Sequence, residues 1–400
     1  MFDAEQSRGE RTETVALKKL ALLFLRLGTT AFGGPAAYIA MMQDEVVRRR
    51  QWLTHAEFLD RLGASNLIPG PSATELAIHI GYRRAGVAGL LLAGTCFIVP
   101  AALISLLFAW AYVRFGGLPQ VAGLLYGVKP VIIAVVVQAL WGLGRVAVKT
   151  RLLGAVALAA VAAGALGVNP LVILFGAGIG MVAAHLVATH TRAMPSSLFA
   201  AVGARSPLAS TVAMTAAAGA MAAPFSLMAL FLFFLKIGAL VFGSGYVLLA
   251  FLEADLVHRW HWLTRAQLLD AVAVGQVTPG PVFSTATFIG YVLGGVPGAL
   301  LATVGIFLPA FVLVVVSGPI VPRLRRSPTA GAFLDGVNVG SLALMAVVTW
   351  TLGWAAVVDI TTAVLAAASA FLLLRFRVNS AWLVLGGALI GLVVTGGLGR

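Results

Sequence analysis

The chain has 400 residues, 60% of them apolar and only 10% charged, with 27 Lys and Arg against 14 Asp and Glu and a formal net charge of +13. Soluble domains carry charge on roughly a quarter of their residues, so this composition, with a mean hydropathy of +1.00, excludes a water-soluble fold and predicts an all-α integral membrane protein. The basic excess sits in short loops between apolar runs, a pattern of membrane orientation that argues against nucleic acid as a partner, and the single cysteine, Cys96, excludes an internal disulfide and a cysteine metal cage.

In chain order, residues 1–19 form a polar tail of mixed charge without an apolar signal core, which predicts a cytoplasmic amino terminus. Residues 20–191 hold one set of apolar runs, 192–226 read as a linker with MPSS and ARSP clusters, and 227–400 hold a second set. The sets are copies. A shift of 210 positions brings Phe24, Gly28 and Phe32-Gly33 onto Phe234, Gly238 and Phe242-Gly243, Trp52-Leu53-Thr54 onto Trp262-Leu263-Thr264, Asp60 onto Asp270, and Pro69-Gly70-Pro71 onto Pro279-Gly280-Pro281. After one dropped residue the register resumes with Ile80-Gly81-Tyr82 on Ile289-Gly290-Tyr291, Pro100-Ala101 on Pro309-Ala310, and Gly127-Val128 on Gly336-Val337.

Loop charge orients each half separately. First-half loops with Arg48 to Arg50, Arg83, Arg84, Arg145, Lys149 and Arg151 are basic, whereas their second-half counterparts are not; the bias reverses at Arg323, Arg325, Arg326, Arg375 and Arg377. The halves are therefore expected to be inverted-topology repeats, with roughly 10 to 12 transmembrane or re-entrant segments. The runs beginning near Leu20 and Ala64, and their partners near Leu227 and Ala271, are interrupted by Gly and Pro and are the candidates for re-entry.

Broken backbone at membrane depth is tolerated where it lines a cavity or is buried in protein. Each half has two such breaks: Phe32-Gly33-Gly34-Pro35 and Pro69-Gly70-Pro71, matched by Phe242-Gly243-Ser244-Gly245 and Pro279-Gly280-Pro281. Each break is expected to present a helix amino terminus, and Ser72 with Glu75 resembles a capping box. Converging termini make an anion site, to which Ser72, Thr74, Ser244, Ser284, Thr285 and Thr287 add hydroxyls. The structural alternative is a kink that lets helices pack closely.

Arg26 and Lys236 occupy matching places in apolar runs and are candidates to neutralise an anion, though Arg26 is also placed to snorkel beside Lys18 and Lys19. Lys129, aligned with Asn338, is a candidate for another inward-facing polar pair, with snorkelling the preferred account of it. Glu75 and His79, four apart, share a helix face and are candidates for proton coupling, against a purely structural role. No metal, cofactor, phosphate-loop or hydrolase motif stands out, so neither an enzyme nor direct ATP coupling is expected.

The run FGGPAAYIAMMQDEVV with QWL, followed by NLIPGPSATELAIHIGYRRAG, resembles the chromate ion transporter family, whose long members carry two homologous halves with FGGP-like and PGP-like signatures. The likeness extends from about Leu20 to the carboxyl terminus. It implies proton-driven efflux of chromate across a bacterial plasma membrane, and chromate resistance. It carries the motif positions Phe32, Gly33, Gly34, Pro35, Pro69, Gly70 and Pro71 and their second-half partners. Tyr38 stands where many relatives have His, and FGSGY replaces FGGP in the second half. Sulfate is a dianion of nearly the same size, so a sulfate or other oxyanion transporter is the alternative within transport; a membrane scaffold or lipid-handling protein is the alternative outside it. A homodimer is carried as an admissible assembly.

Overall fold

Helix boundaries follow the capping residues and the Gly/Pro breaks of each apolar run. The computed structural model describes residues 17–31, 35–193, 224–241, 247–317, 321, 324, 327–376 and 378–398. The first half contains α1 (17–30), α2 (Pro35–Gln43, continued as a π-helix over Asp44–Arg49), α3 (His55–Ser65), α4 (Ser72–Phe115), α5 (Pro119–Ala147), α6 (Arg151–Ala165) and α7 (Pro170–Ala193). The second half repeats this order with α8 (Leu227–Leu240), α9 (Leu248–Phe251, continued as a π-helix over Leu252–Arg259), α10 (Arg265–Val277) and α11 (Thr285–Ser317). It ends with α12 (Pro328–Ala356), α13 (Ile360–Phe371, with a π-turn over Leu372–Phe376) and α14 (Ser380–Leu398). The described residues contain no strand, and five of the helices are long and apolar enough to cross a membrane.

Local chemistry is duplicated with the sequence. Thr54 and Thr264 each accept a hydrogen bond from the backbone of the residue three places on, and Glu57 and Gln267 return it, so α3 and α10 both start in capping boxes. The π-helices also coincide, and each runs into a residue with positive φ, Gln51 (50°) and His261 (54°).

Helix α4 spans 44 residues and would be about 66 Å long if straight, more than twice an apolar bilayer core. It instead turns back at Ala85 and Gly86, where Gly86 takes φ 57°, a conformation that glycine alone adopts freely. Gly81 and Gly89 would sit about 12 Å apart on a straight helix, yet a Cβ on either would collide with the other's carbonyl oxygen. Helix α11 does the same at Gly294 and Gly295, with Gly290 against Gly298. The short arm 72–84 therefore returns beside α3: Arg83 reaches Glu57 at 3.8 Å, and Arg84 lies 5.2 Å from the Trp52 ring. Helix α3 and this arm form a hairpin with Pro69-Gly70-Pro71 at its inner end. Helices α1 and α2 make a second hairpin, joined near its mouth by Arg26 and Glu45 at 3.5 Å.

Matching helices of the two halves run antiparallel. Ile78 and Leu90, early in α4, pack on Ala310 and Val314, late in α11, while Tyr112, late in α4, meets Phe288, early in α11, at 5.3 Å between ring centres. The halves also interlock, because α5 packs on α13 and α14 while α12 packs on α6 and α7. Close approach depends on small residues at the crossing, as membrane helices require: Gly123 and Gly127 of α5 lie on the backbone of Gly391 and Gly387 of α14, and a Cβ on Gly127 would strike the Gly387 carbonyl. Gly127→Leu is accordingly expected to destabilise the folded protein by about 1–3 kcal/mol or more, read as a lower midpoint in a thermal aggregation assay in detergent.

Candidate functional site

The two hairpin tips meet across the halves. The Gly70 amide donates to the Val241 carbonyl at 2.7 Å, and the Gly280 amide donates to the Ala31 carbonyl at 3.1 Å. Ala31 and Val241 are the residues immediately before FGGP and FGSG, so each PGP tip is held against the other half's first break. Gly70 takes φ 137° and Gly280 φ 91°. A Cβ on Gly70 would collide with the Glu75 carboxylate, and one on Gly280 would lie 2.8 Å from the Ala101 Cβ and 3.0 Å from the Gly28 carbonyl. Phe32, Gly33, Gly34, Gly243, Ser244 and Gly245 lie outside the described residues, as does the side chain of Pro35.

The expected capping box at Ser72 does not form. Pro71 is the N-cap of α4, its carbonyl accepts from the amides of Thr74 and Glu75 at 2.7 and 3.0 Å, and no side chain caps the helix. The rigid proline ring enters the helix one residue early, leaving Ser72 as the first helical residue and Glu75 turned inward. The Thr74 hydroxyl, both Glu75 carboxylate oxygens, His79 Nε2 and the Ser284 hydroxyl are buried without hydrogen-bond partners. Thr285 donates to Val282 O at 2.8 Å and Thr287 pairs with Thr303 at 2.7 Å, so these two hydroxyls are already engaged. Pro69, Pro279 and Pro281 flank the tips without a polar hydrogen to offer.

A cleft of about 1010 Å³ extends to Ser72 and Val282, the residues that follow the two PGP tips. Both halves line it: Tyr38, Asn66 and Ser72 from the first set of hairpins, Val247, Gln276 and Val282 from the second, and Gln138, Asn338 and Ser341 from α5 and α12. Arg145, Lys149 and Asp335 stand at its mouth, with Lys149 on Asp335 at 3.2 Å. The Ser341 hydroxyl is buried and unpartnered. Asn66, Gln276 and Ser341 were not legible as site residues, since single amides and hydroxyls in apolar runs carry no motif.

The intramembrane cations are not aimed at the tips. Arg26 is 62% exposed and pairs with Glu45, and Lys236 pairs with Asp255 at 2.6 Å. Arg49 and Arg259, also matched, join the same two carboxylates at 3.2 and 3.9 Å. Arg50 adds a third cation to Glu45 at 3.1 Å, so each half surrounds this buried acid with at least two cations, which accounts for the matched Arg and Lys without a substrate. The signal was present, since Glu45 and Asp255 are themselves a repeat pair.

Lys129 is corrected as well. It does not snorkel but bridges the halves to Asp270 at 2.9 Å, where the Tyr112 hydroxyl also donates at 3.0 Å; Asp270 is 4% exposed. At the mouth of the α3 hairpin, the Thr54 amide and then its hydroxyl hold the Glu57 carboxyl below its usual range, which keeps it ionised opposite Arg83.

The chromate transporter family model matches residues 18–182 and again 228–392, once on each half. The chain belongs to the chromate transporter family. A chromate transport protein of Cupriavidus metallidurans is 37% identical over 385 residues, covering 95% of this chain and 94% of that one. A probable chromate transport protein of Synechococcus elongatus is 33% identical over 87% of each chain. A chromate transport protein of Pseudomonas aeruginosa is 35% identical over 82% of this chain and 78% of its own. No solved structure matches. As a member of this transporter family with several apolar helices, the chain is a multi-pass membrane protein whose role is transport rather than catalysis.

Proposed function

We propose that this chain is a secondary active transporter that exports chromate from the cytoplasm across the bacterial plasma membrane, using the proton gradient, and so confers chromate resistance. The observation that carries the reading is the reciprocal pair of hydrogen bonds, Gly70 to Val241 and Gly280 to Ala31, two residues from Ser72 and Val282 in the wall of a cleft lined by both halves. Inverted repeats whose broken helices meet near the midplane offer amides and dipole ends to an anion and a route for one half to rock against the other.

The substrate contacts are assigned to the breaks Phe32 to Pro35 and Gly243 to Gly245, to the PGP tips, and to the hydroxyls of Ser72, Thr74, Ser284 and Ser341. Glu75 and His79 are assigned to proton coupling. The positive-inside rule, applied to the basic loops of the first half, supports a cytoplasmic amino terminus and a cleft that opens, at Arg145 and Lys149, to the same side. Sulfate remains the second reading, because a site of amides and hydroxyls receives either tetrahedral dianion. A scaffold or lipid-handling role gives no use to the amides and hydroxyls of Asn66, Gln138, Gln276, Asn338 and Ser341 in the cleft wall.

The test is flux in proteoliposomes with radiolabelled chromate and sulfate under imposed pH gradients of either sign. Chromate accumulation that follows the sign of the gradient is the expected result. Absence of gradient-dependent flux of either anion overturns the transporter reading, and sulfate flux that chromate does not inhibit overturns the chromate assignment.

A further inference from the structure

The two halves share a sequence pattern but not an environment. Helix α10 of the second half packs on α11 of its own half and, in addition, on α5, α12 and α4, which buries Asp270 beneath Tyr112 and Lys129. Its repeat partner Asp60 is exposed, and α3 packs chiefly on α4 of its own half. The facing helices differ in the same sense. Asn338 and Leu342 of α12 line the cleft, whereas their partners in α5 are Lys129, paired with Asp270, and Ile133, 9% exposed. One end of the molecule is therefore open and the other shut, and the same repeat positions mark the difference.

Exchanging the two environments generates the opposite state of an inverted repeat. In that state α3 lies against α12 and Asp60 faces Asn338. At the other end, Asp270 and Lys129 separate and line a new cleft. The two closures are chemically unequal. Lys129 is replaced by Asn338 and Tyr112 by Val321, so the second closure has neither the ion pair nor the phenol hydrogen bond.

We propose that Tyr112, Lys129 and Asp270 form one gate of the transport cycle, that Asp60 and Asn338 form the other, and that the stronger first gate holds the resting protein open at the Asn338 end. These are positioning residues; none is placed on the substrate. The inference rests on the transporter reading for the use of the gates, but its test needs no substrate, so a failed flux assay and a failed gate are distinguishable.

The experiment uses the full chain in lipid nanodiscs on a Cys96→Ala background, with Leu342→Cys and Ile133→Cys as separate reporters of the two ends, read by maleimide labelling rate. Faster labelling at position 342 is expected in the parent. Lys129→Asn and Asn338→Lys are each expected to move the ratio of rates toward position 133 by about tenfold or more, the ratio that about 1.4 kcal/mol represents. Lys129→Asp is expected to do the same, and adding Asp270→Lys to it is expected to restore the parent ratio. Asn338→Lys places its charge in the open cleft and buries none, so it reads the equilibrium even where a Lys129 variant fails to fold. An unchanged ratio in Asn338→Lys, or in folded Lys129→Asn, overturns the proposal.

Discussion

Gly70→Ala is expected to lower chromate transport by about five- to 150-fold while leaving the protein inserted and folded. The residue sits at φ 137°, and a Cβ there would strike the Glu75 carboxylate across the turn. Holding a non-glycine residue in such a conformation costs about 1–3 kcal/mol, which corresponds to that range of rates or populations. The tip relieves the strain by shifting away from Val241, whose carbonyl accepts the Gly70 amide, so the loss falls on the junction of the halves and not on the lipid-facing helices. Gly280→Ala, with φ 91° and neighbours at 2.8 and 3.0 Å, is expected to behave alike. Gly176→Ala in α7 is the control: it has ordinary φ, no atom within 4 Å of a Cβ, and a better helix former in place of glycine. The measurement is initial chromate uptake into inverted vesicles, normalised to protein in the membrane. Equal rates for Gly70→Ala and Gly176→Ala would remove the tip from the transport path.

The duplication, the two breaks per half and the reversal of loop charge were legible because each is a pattern repeated along one chain. The turns at Gly86 and Gly295 were legible as a loop in each half, marked in the first by Arg83 and Arg84, but their sharpness was not, because the φ that folds the chain back is invisible in a glycine, a residue that also occurs within membrane helices. The capping residues were misjudged in a specific way: Ser72 with Glu75 and Thr54 with Glu57 both fit the same pattern, but only Thr54 lacks a preceding proline to take the N-cap place. Partners across the halves were the hardest to read. Lys129 and Asp270 are far apart in sequence and have no matching ion pair in the other copy, since Asn338 stands where a second lysine would be needed.

That loss of symmetry extends to the acids. Glu45 and Asp255 recur in both halves and are fully supplied with cations, whereas Glu75 occurs only in the first half, at a position whose counterpart, Ser284, is a serine. A repeated ion pair serves the repeated fold. An unrepeated acid beside one tip is the group on which the proposed proton coupling draws.

Glu75→Gln is therefore expected to abolish the response of chromate flux to a pH gradient while leaving equilibrative exchange of chromate intact. Glu75 is fully buried, its oxygens have no hydrogen-bond partner, and His79 follows one turn later with its Nε2 likewise unpartnered. A lone ionised carboxylate is costly at membrane depth, so the two charge states of Glu75 fit the closed tip unequally, and a proton is the ion that converts one into the other. Glutamine keeps the shape against Gly70 and removes the titration. Counterflow of labelled chromate against unlabelled chromate, with no gradient, reports the substrate path alone; accumulation in inverted vesicles under an acid-inside gradient reports the coupling. Loss of accumulation with preserved counterflow is the expected split. Wild-type accumulation in Glu75→Gln would exclude this carboxylate as the proton carrier. Loss of both would place Glu75 on the path of the anion itself.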